Sequence, residues 1–187
     1  MILDGLLQFT GSSRGGTTTG AVTPATGTND VMTASGSSTN IIDLGLIGLP
    51  SFAAGGGARD IGIGDDPAMK ILVQVVVAFA GGTSLQINIQ GAPDNGSGAP
   101  GSFVIYASGP VVALASLIAG ARLFDTDMPR PALDFPPPRF LQLGYVVVGT
   151  MSGGGAVQAY LVLDRFDLPT NANAVLGGYP AGINIAN

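Results

Sequence analysis

The sequence lacks histidine, cysteine, glutamate and tryptophan altogether, and Lys70 is the only lysine among its 187 residues. Without histidine and cysteine, the chain cannot form a Ser-His-Asp or Cys-His catalytic arrangement, a histidine or thiolate zinc site, or a disulfide. Glutamate and lysine are the usual residues of exposed helix faces, because their straight side chains lose little rotamer freedom there. Their scarcity therefore argues against a fold that is built on solvent-facing helices.

Charge of either sign is also scarce, at 10% of the chain. All 12 acidic residues are aspartates, the arginines are scattered, and the formal net charge is -5. Binding to a nucleic-acid backbone requires clustered Lys and Arg that displace counterions. We therefore expect no nucleic-acid partner.

No apolar run is long enough to predict a membrane helix. The longest runs lie near residues 71–80 and 111–121, well short of the roughly 20 residues that span a bilayer. The start, MILDGLLQFT, carries Asp4 and lacks the basic region of a signal peptide. We therefore expect no membrane partner and a protein that is made and kept in a cytosol.

Abundant Val, Ile and Thr, with 30 Gly and 13 Pro for turns, predict strands. The clearest strand spans residues 70–80, and a second alternating segment spans 84–90. A two-residue turn between them would place apolar residues opposite polar ones. We therefore predict a hairpin with an odd loop that pairs Phe79 with Leu85, Val77 with Ile87, and Val75 with Ile89. Residues 140–148 and 156–166 predict another hairpin around GTMSGGG.

The whole pattern predicts an all-β protein, a jelly roll or β-sandwich of about eight short antiparallel strands with an extended N-terminal arm. Residues 10–40 are rich in Gly, Ser and Thr, and such a segment buries too little apolar surface to offset its ordering entropy. We expect it to be a mobile loop, or an arm that becomes ordered against a partner. The predicted divisions are an arm at 1–40, the sandwich at 41–168 and an extended tail at 169–187.

Few residues suggest catalysis, and we expect no enzyme, no cofactor and no metal site. GSSRG at 11–15 matches a nucleophile-elbow pattern but has no histidine partner. Asp125 and Asp127, spaced to share one face of a strand, favour edge charges over a metal site. The Asp65-Asp66 pair favours a turn. Tyrosines 106, 145 and 160 fit a packed sandwich face better than a sugar platform.

Several phrases, in order along the chain, resemble the small capsid cement, or decoration, proteins of tailed bacteriophages. They are MILD at the start, VMTASGSSTNIIDLG at 31–45, a strand like MKILVQVVVAF with SLQINIQ after it, and AVQAYLVLD at 156–164. The resemblance covers residues 1–9 and 31–187. The chain departs from the pattern at residues 10–30, a Gly/Thr-rich insertion.

The resemblance implies a jelly-roll domain on the outer surface of an icosahedral capsid in the virion. Its partners would be the phage major capsid protein and further copies of itself, as a homodimer or homotrimer. Such proteins bridge neighbouring capsid subunits and strengthen the shell mechanically. The residues expected at capsid and intersubunit contacts are Met1, Ile2, Leu3, Leu6, Phe9, Thr39, Ile41, Asp43, Phe135 and Arg139.

Two other interpretations compete with this one. A carbohydrate-binding, lectin-like β-sandwich from a phage adhesin is the first alternative, although the absence of tryptophan weakens it. A hydrolase of unfamiliar type that uses the aspartate pairs is the second. Saturable sugar binding by an isolated subunit would favour the first alternative, and binding to empty capsid shells would favour the decoration protein.

Overall fold

A computed structural model describes residues 7–11, 20–24, 29–45, 70–128 and 138–162. These residues form an all-β, jelly-roll-like sandwich of antiparallel strands, which confirms the predicted fold class. Within the described residues, no helix is long and apolar enough to cross a membrane. The strands are β1 (Gly20–Pro24), β2 (Asp30–Ser37), β3 (Ile42–Asp43), β4 (Lys70–Val77), β5 (Ser84–Ala92), β6 (Val104–Ala113), β7 (Arg122–Asp127), β8 (Phe140–Val148) and β9 (Ala156–Val162), with a 3-10 turn at Leu114–Ser116 after β6.

The strands follow the order β6-β5-β8-β2-β9-β4-β7, with β1 paired to β2 and β3 paired to β8. Strand β2 connects the two halves of this order. Its end, Gly36 and Ser37, pairs with β8, whereas its start, Asp30 and Val31, pairs with β9. A strand that changes partners in this way turns the corner between two packed sheets. The strands therefore form one continuous sheet that folds at β2 into two layers, one with β6, β5 and β8 and the other with β7, β4 and β9. We call these layers the two sheets of the sandwich.

The core lies between the two sheets and is built from alternate residues of the central strands. It includes Ile71, Val73 and Val75 on β4, Leu85, Ile87 and Ile89 on β5, Leu141, Leu143 and Tyr145 on β8, and Val157, Ala159 and Leu161 on β9. The apolar faces predicted for β4 and β5 are therefore confirmed up to Val75. Val77 is 47% exposed, because the pairing register with β9 shifts between Val75 and Val77. Such a shift reverses the face that the next side chain occupies.

Both predicted hairpins are wrong. Strand β4 pairs with β7 and β9, whereas β5 pairs with β6 and β8, so residues 78–83 cross from one sheet to the other. Residues 149–155 make a second crossing, because β8 and β9 do not pair with each other and lie on opposite sides of β2 in the strand order. Two apolar faces can meet across a sandwich as well as side by side in one sheet. Alternation alone does not distinguish these cases, and the pairings predicted for Phe79, Val77 and Val75 do not form.

The expectation of a mobile segment across residues 10–40 is wrong for residues 30–40. Strand β2 occupies the middle of the strand order, and β1 pairs along it from Gly20 to Pro24. Residues 38–40, which follow β2, are buried although all three are polar. Hydrogen bonds therefore stabilise this part of the chain where apolar burial is small. The residues between these pieces, and the predicted C-terminal tail, lie outside the described residues.

Glycines allow the two crossings to pack closely at one end of the sandwich. Gly153 N donates to Ala80 O at 3.0 Å, which joins the two loops directly. Gly81 has a φ of 75°, and a Cβ at that position would lie 2.8 Å from Thr150 O. A Cβ at Gly155 would lie 2.1 Å from Cγ of Phe79, whose side chain is buried. The GTMSGGG stretch is therefore a close-packed crossing between sheets.

Candidate functional site

A buried carboxylate, Asp30, organises the segment before β3. Its oxygens accept hydrogen bonds from Thr39 N at 3.0 Å, Gly11 N at 3.4 Å and the Tyr145 hydroxyl at 3.1 Å, and also from Thr39 Oγ1. Asp30 has no exposed surface, and burial raises its pKa, although these hydrogen bonds act in the opposite direction. Burial, together with the nearby Asp30 charge, raises the pKa of Tyr145 well above its ordinary value.

Asn40 extends this network. We call the whole network the Asp30 cluster (Gln8, Thr10, Asp30, Ser38, Thr39, Asn40 and Tyr145). Asn40 Nδ2 donates to Thr10 O at 3.1 Å and to Gln8 O at 3.4 Å, and Asn40 N donates to Phe9 O at 2.9 Å. Ser38 Oγ donates to Asn40 O at 2.9 Å and accepts from Leu143 N at 3.1 Å. The cluster therefore fastens residues 8–11 and the end of β2 onto β8.

Two of the predicted contact residues belong to this buried part of the subunit. Phe9 is 0% exposed and lies in the hydrophobic core, and Thr39 is 3% exposed and donates to Asp30. Both side chains are used inside the fold, so the structure gives neither of them a surface that a partner can contact. We therefore correct the expectation that Phe9 and Thr39 form contacts with a capsid.

Arg139, Asp43 and Asp94 form a second polar group at the surface. Nε and Nη2 of Arg139 donate to the two carboxylate oxygens of Asp43 at 2.9 and 3.0 Å, and Nη1 donates to Asp94 Oδ2. The guanidinium also lies over the ring of Phe140, 4.8 Å from its centroid, a favourable cation–π distance. The hydrogen bonds that Arg139 donates to Asp43 and Asp94 raise the pKa of Arg139, the one to Asp43 most. The structure thus brings together two predicted contact residues, Asp43 and Arg139, as an ion pair.

This Arg139 clamp (Arg139, Asp43 and Asp94) fixes the loop between β5 and β6. Asp94 Oδ1 accepts from Gly96 N at 2.7 Å and Gly98 N at 3.0 Å. These two hydrogen bonds, with that from Arg139, lower the pKa of Asp94, and the Gly98 bond contributes most. A lowered pKa means that ionised Asp94 is favoured in the fold. The clamp's contribution is therefore present above the ordinary pKa of aspartate and is lost as the pH falls through the lowered value.

We expect Arg139→Lys to loosen this loop without unfolding the sandwich. The planar guanidinium of Arg139 donates two hydrogen bonds to Asp43 and one to Asp94 at the same time. The ammonium group of lysine cannot reproduce this geometry. The amides of Gly96 and Gly98 should exchange with deuterium faster than in the wild type, while the amides of β5 and β8 keep their protection. Hydrogen exchange followed by mass spectrometry measures both, and unchanged exchange at Gly96 and Gly98 would contradict the role given to Arg139.

The outward side of the β6-β5-β8 sheet carries large aliphatic side chains, and we call this surface the outer face. Ile105 is 49% exposed, Val111 65%, Val146 41% and Val148 52%. Ser84, Gln86, Asn88 and Gln90 lie on β5 between these two strands. Gln86 and Gln90 are half-buried, whereas Ser84 and Asn88 are buried. None of the residues of β5, β6 and β8 is charged.

Amide side chains form hydrogen bonds across this face. Gln142 Nε2 donates to Gln90 Oε1 at 2.7 Å, and Gln86 Nε2 donates to Gly109 O at 3.0 Å. Gly144 provides the space for Gln90, since a Cβ there would lie 2.5 Å from Gln90 Nε2. The result is a surface on which a partly buried amide strip lies between exposed aliphatic groups of β6 and β8. A second group of exposed aliphatic residues, Val76, Val77 and Ile118, belongs to the other sheet and the loop beside it.

The remaining predicted residues have mixed outcomes. Ile41 is partly buried between the cluster and β3. Met1, Ile2, Leu3, Leu6 and Phe135, together with Asp65 and Asp66, lie outside the described residues. Asp125 and Asp127 lie on β7 as predicted, and their register partners on β4 are Leu72 and Lys70. In the part of the chain that the structure describes, no group of three acidic side chains is placed to hold a metal ion.

Sequence reasoning did not single out Asp30, Tyr145 as its partner, or the exposed valines. Asp30 is a lone aspartate at the start of a polar strand, and only a structure shows that Thr39 and Tyr145 meet it. The outer face had a usable signal in the polar alternation of β5 from Ser84 to Gln90. That alternation separated a polar side of β5 from an apolar one, but it did not show that exposed apolar residues of β6 and β8 lie on the polar side.

The fold and the outer face define a jelly-roll-like β-sandwich protein with an uncharged, partly apolar sheet surface. The model of the Bbp16 family matches residues 26–161. This match covers well over half of the chain and includes β2 to β8 and nearly all of β9, so the chain belongs to the Bbp16 family. A comparison with curated proteins finds no match.

Proposed function

We propose that this chain is a capsid decoration protein, which binds the outer surface of a bacteriophage capsid and bridges neighbouring major capsid subunits. Its place would be the virion, and its partners the major capsid protein and further copies of itself. The observation that carries the proposal is the outer face, with Ile105 and Val111 exposed on β6 and Val146 and Val148 exposed on β8, the two strands on either side of β5. Exposed apolar surface of this kind on a soluble fold is typical of protein–protein contact.

The charge of the outer face favours a second copy of this chain as its occupant. The whole chain carries a net charge of -5, so two copies repel each other unless they meet through neutral surfaces. Strands β5, β6 and β8 carry no charged residue, so two copies could meet about a two-fold axis on this face without like-charge repulsion. An oligomer formed in this way would then bind several capsid sites at once, and modest contacts would combine through avidity.

The resemblance of VMTASGSSTNIIDLG, SLQINIQ and AVQAYLVLD to capsid cement proteins supports the capsid as the second partner. The construction of the subunit is consistent with a mechanical role. The Asp30 cluster fastens the segment around β2, the glycine crossings close one end, and the Arg139 clamp holds the β5–β6 loop. Segments held by buried hydrogen bonds and close packing are expected to resist local opening when neighbours pull on the subunit.

Cosedimentation with empty capsid shells tests the proposal, with light scattering to measure the oligomeric state. We expect the wild type to form an oligomer, to pellet with shells and to raise the temperature at which shells open. The double variant Val111→Asp/Val146→Asp should be monomeric, since it places like charges against each other across the interface. It should also bind shells far more weakly, because avidity is lost.

Ala34→Asp is the matched control, because Ala34 is exposed on β2 and lies outside the outer face. It adds the same kind of charge and should leave assembly and shell binding unchanged. An oligomer that fails to bind shells would contradict the capsid proposal alone. A wild-type monomer that still binds shells would contradict only the assignment of the outer face to a second copy. Saturable sugar binding without shell binding would favour the lectin-like alternative.

A further inference from the structure

The loop between β5 and β6 carries a reactive dipeptide, Asn95-Gly96, at an exposed tip. In such a pair the backbone nitrogen of Gly96 can attack the side-chain amide carbon of Asn95. A bond forms between that nitrogen and Cγ, the bond from Cγ to Nδ2 breaks, and ammonia leaves with the proton from Gly96 N. Water then opens the succinimide ring to aspartate or isoaspartate. Glycine offers the least steric resistance because it has no Cβ, and a Cβ at Gly96 would meet nothing within 4 Å.

The folded loop uses both reacting groups in hydrogen bonds. Gly96 N, the nucleophile, donates to Asp94 Oδ1 at 2.7 Å. Asn95 Oδ1, on the carbon that would be attacked, accepts from Ser97 N at 2.9 Å and from Ser97 Oγ at 2.7 Å. Asn95 N in turn donates to Ala99 O at 2.9 Å, which closes the loop. The Asn95 side chain is therefore held toward Ser97.

The carboxylate of Asp94 opposes the reaction at its first step. Gly96 N must lose its proton before it attacks, and the resulting negative charge would lie beside the negative charge of Asp94. A like charge disfavours the ionised form of its neighbour, and the hydrogen bond to a charged acceptor must also break. Arg139 donates to the other oxygen of Asp94 and so keeps the carboxylate in position.

We propose that Asn95 is a latent self-modification site, which the folded loop holds closed and which Asp94 controls through Gly96 N. Opening the site would convert a neutral amide at the loop tip into a carboxylate next to Asp94. This inference is independent of the proposed function, because it depends only on the chemistry of residues 94–97 and on the Arg139 clamp.

The test compares purified full-length wild type, Asp94→Ala and Asp94→Asn during incubation at mildly alkaline pH. Peptide mass spectrometry follows the exchange of the Asn95 amide for a hydroxyl, and separation of the products distinguishes aspartate from isoaspartate. We expect Asp94→Ala to convert about ten-fold faster than the wild type or more, since a hydrogen bond to a charged group is lost. Asp94→Asn should lie between them, because its amide oxygen can still accept from Gly96 N.

Asn95→Gln is the matched control, because its longer side chain would need a less favourable six-membered ring, and it should show no conversion in this loop. The wild type in urea gives the rate of the open chain and should match or exceed Asp94→Ala. Equal rates for folded wild type and the chain in urea would overturn the proposal. A slower rate in Asp94→Ala would also overturn it, since Asp94 would then act as a base. Protection of the β5 and β8 amides, measured on the same samples, verifies that each variant is folded.

Discussion

Replacing Asp30 by alanine is expected to lower the free energy of unfolding by about 4 kcal/mol, the range for breaking a buried charged network. The loss leaves Thr39 N, Gly11 N and the Tyr145 hydroxyl without their acceptor in a region from which water is excluded. Domains of this size have a total stability of roughly 5–15 kcal/mol, so the variant should be marginally folded. Urea unfolding, followed by circular dichroism, measures the change.

Two further variants separate the parts of this effect. Tyr145→Phe removes one of the hydrogen bonds to Asp30 and should cost about 1–2 kcal/mol. Asp94→Ala removes an aspartate that also accepts several hydrogen bonds, but on an exposed loop, and should leave global stability nearly unchanged. If Asp30→Ala were as stable as Asp94→Ala, the Asp30 cluster would not be what holds β2 and residues 8–11 in place.

The pH dependence of stability provides a second measurement on the same site. Because the pKa of Asp30 is raised in the fold, the folded state retains a proton between the ordinary pKa of aspartate and the raised value, whereas the unfolded state has lost it. Linkage then makes the contribution of Asp30 fall as the pH rises through that window. The difference in stability between wild type and Asp30→Asn should therefore change across the window and level off above it.

The parts of the fold that could be predicted from sequence are those with a local cause. The strands at β4, β5, β8 and β9 follow from alternation and from β-branched residues, and the predicted apolar face of β4 is correct through Val75. Which strands pair with each other, in contrast, is not determined by the local sequence. The apolar side of β4 faces that of β5 across the core, which satisfies the same pattern as a hairpin. The bulge that exposes Val77 likewise depends on the register with β9.

The segment before Ile41 departs most from the sequence-based expectation, and the reason is physical. Ser38, Thr39 and Asn40 are buried through hydrogen bonds to Asp30, Leu143 and residues 8–10. A polar composition normally indicates insufficient apolar burial, and nothing local shows that partners from distant strands will satisfy these groups. The same limit applies to the contact residues. Phe9 resembles an arm residue in the sequence because β9, to which its backbone N donates a hydrogen bond at Ala159, follows about 150 positions later in the chain.

Gly155→Ala is expected to be as damaging as the loss of a core side chain, at about 3 kcal/mol or more. Its Cβ would lie 2.1 Å from Cγ of Phe79, an atom close to the backbone that cannot move as a flexible chain end would. Phe79 is buried, and its backbone N donates to Leu117 O at 3.0 Å, so displacement of the ring disturbs both crossings. A fall in the thermal midpoint, measured by calorimetry, should accompany the loss.

Gly154→Ala is the matched control, because it adds the same methyl group at the neighbouring glycine. Gly154 has a φ of 62°, and its Cβ would lie 3.7 Å from the nearest atom, on Val31. That variant should cost only the conformational penalty of a left-handed alanine, about 1–2 kcal/mol.

A double variant, Gly155→Ala/Phe79→Ala, isolates the steric contact further. Phe79→Ala alone leaves a cavity and should cost about 3–5 kcal/mol, but the methyl group added at position 155 then enters that cavity without a clash. The two costs should therefore be strongly non-additive, with the double variant close to Phe79→Ala. Additive costs would mean that Gly155 is required for a reason other than the ring of Phe79.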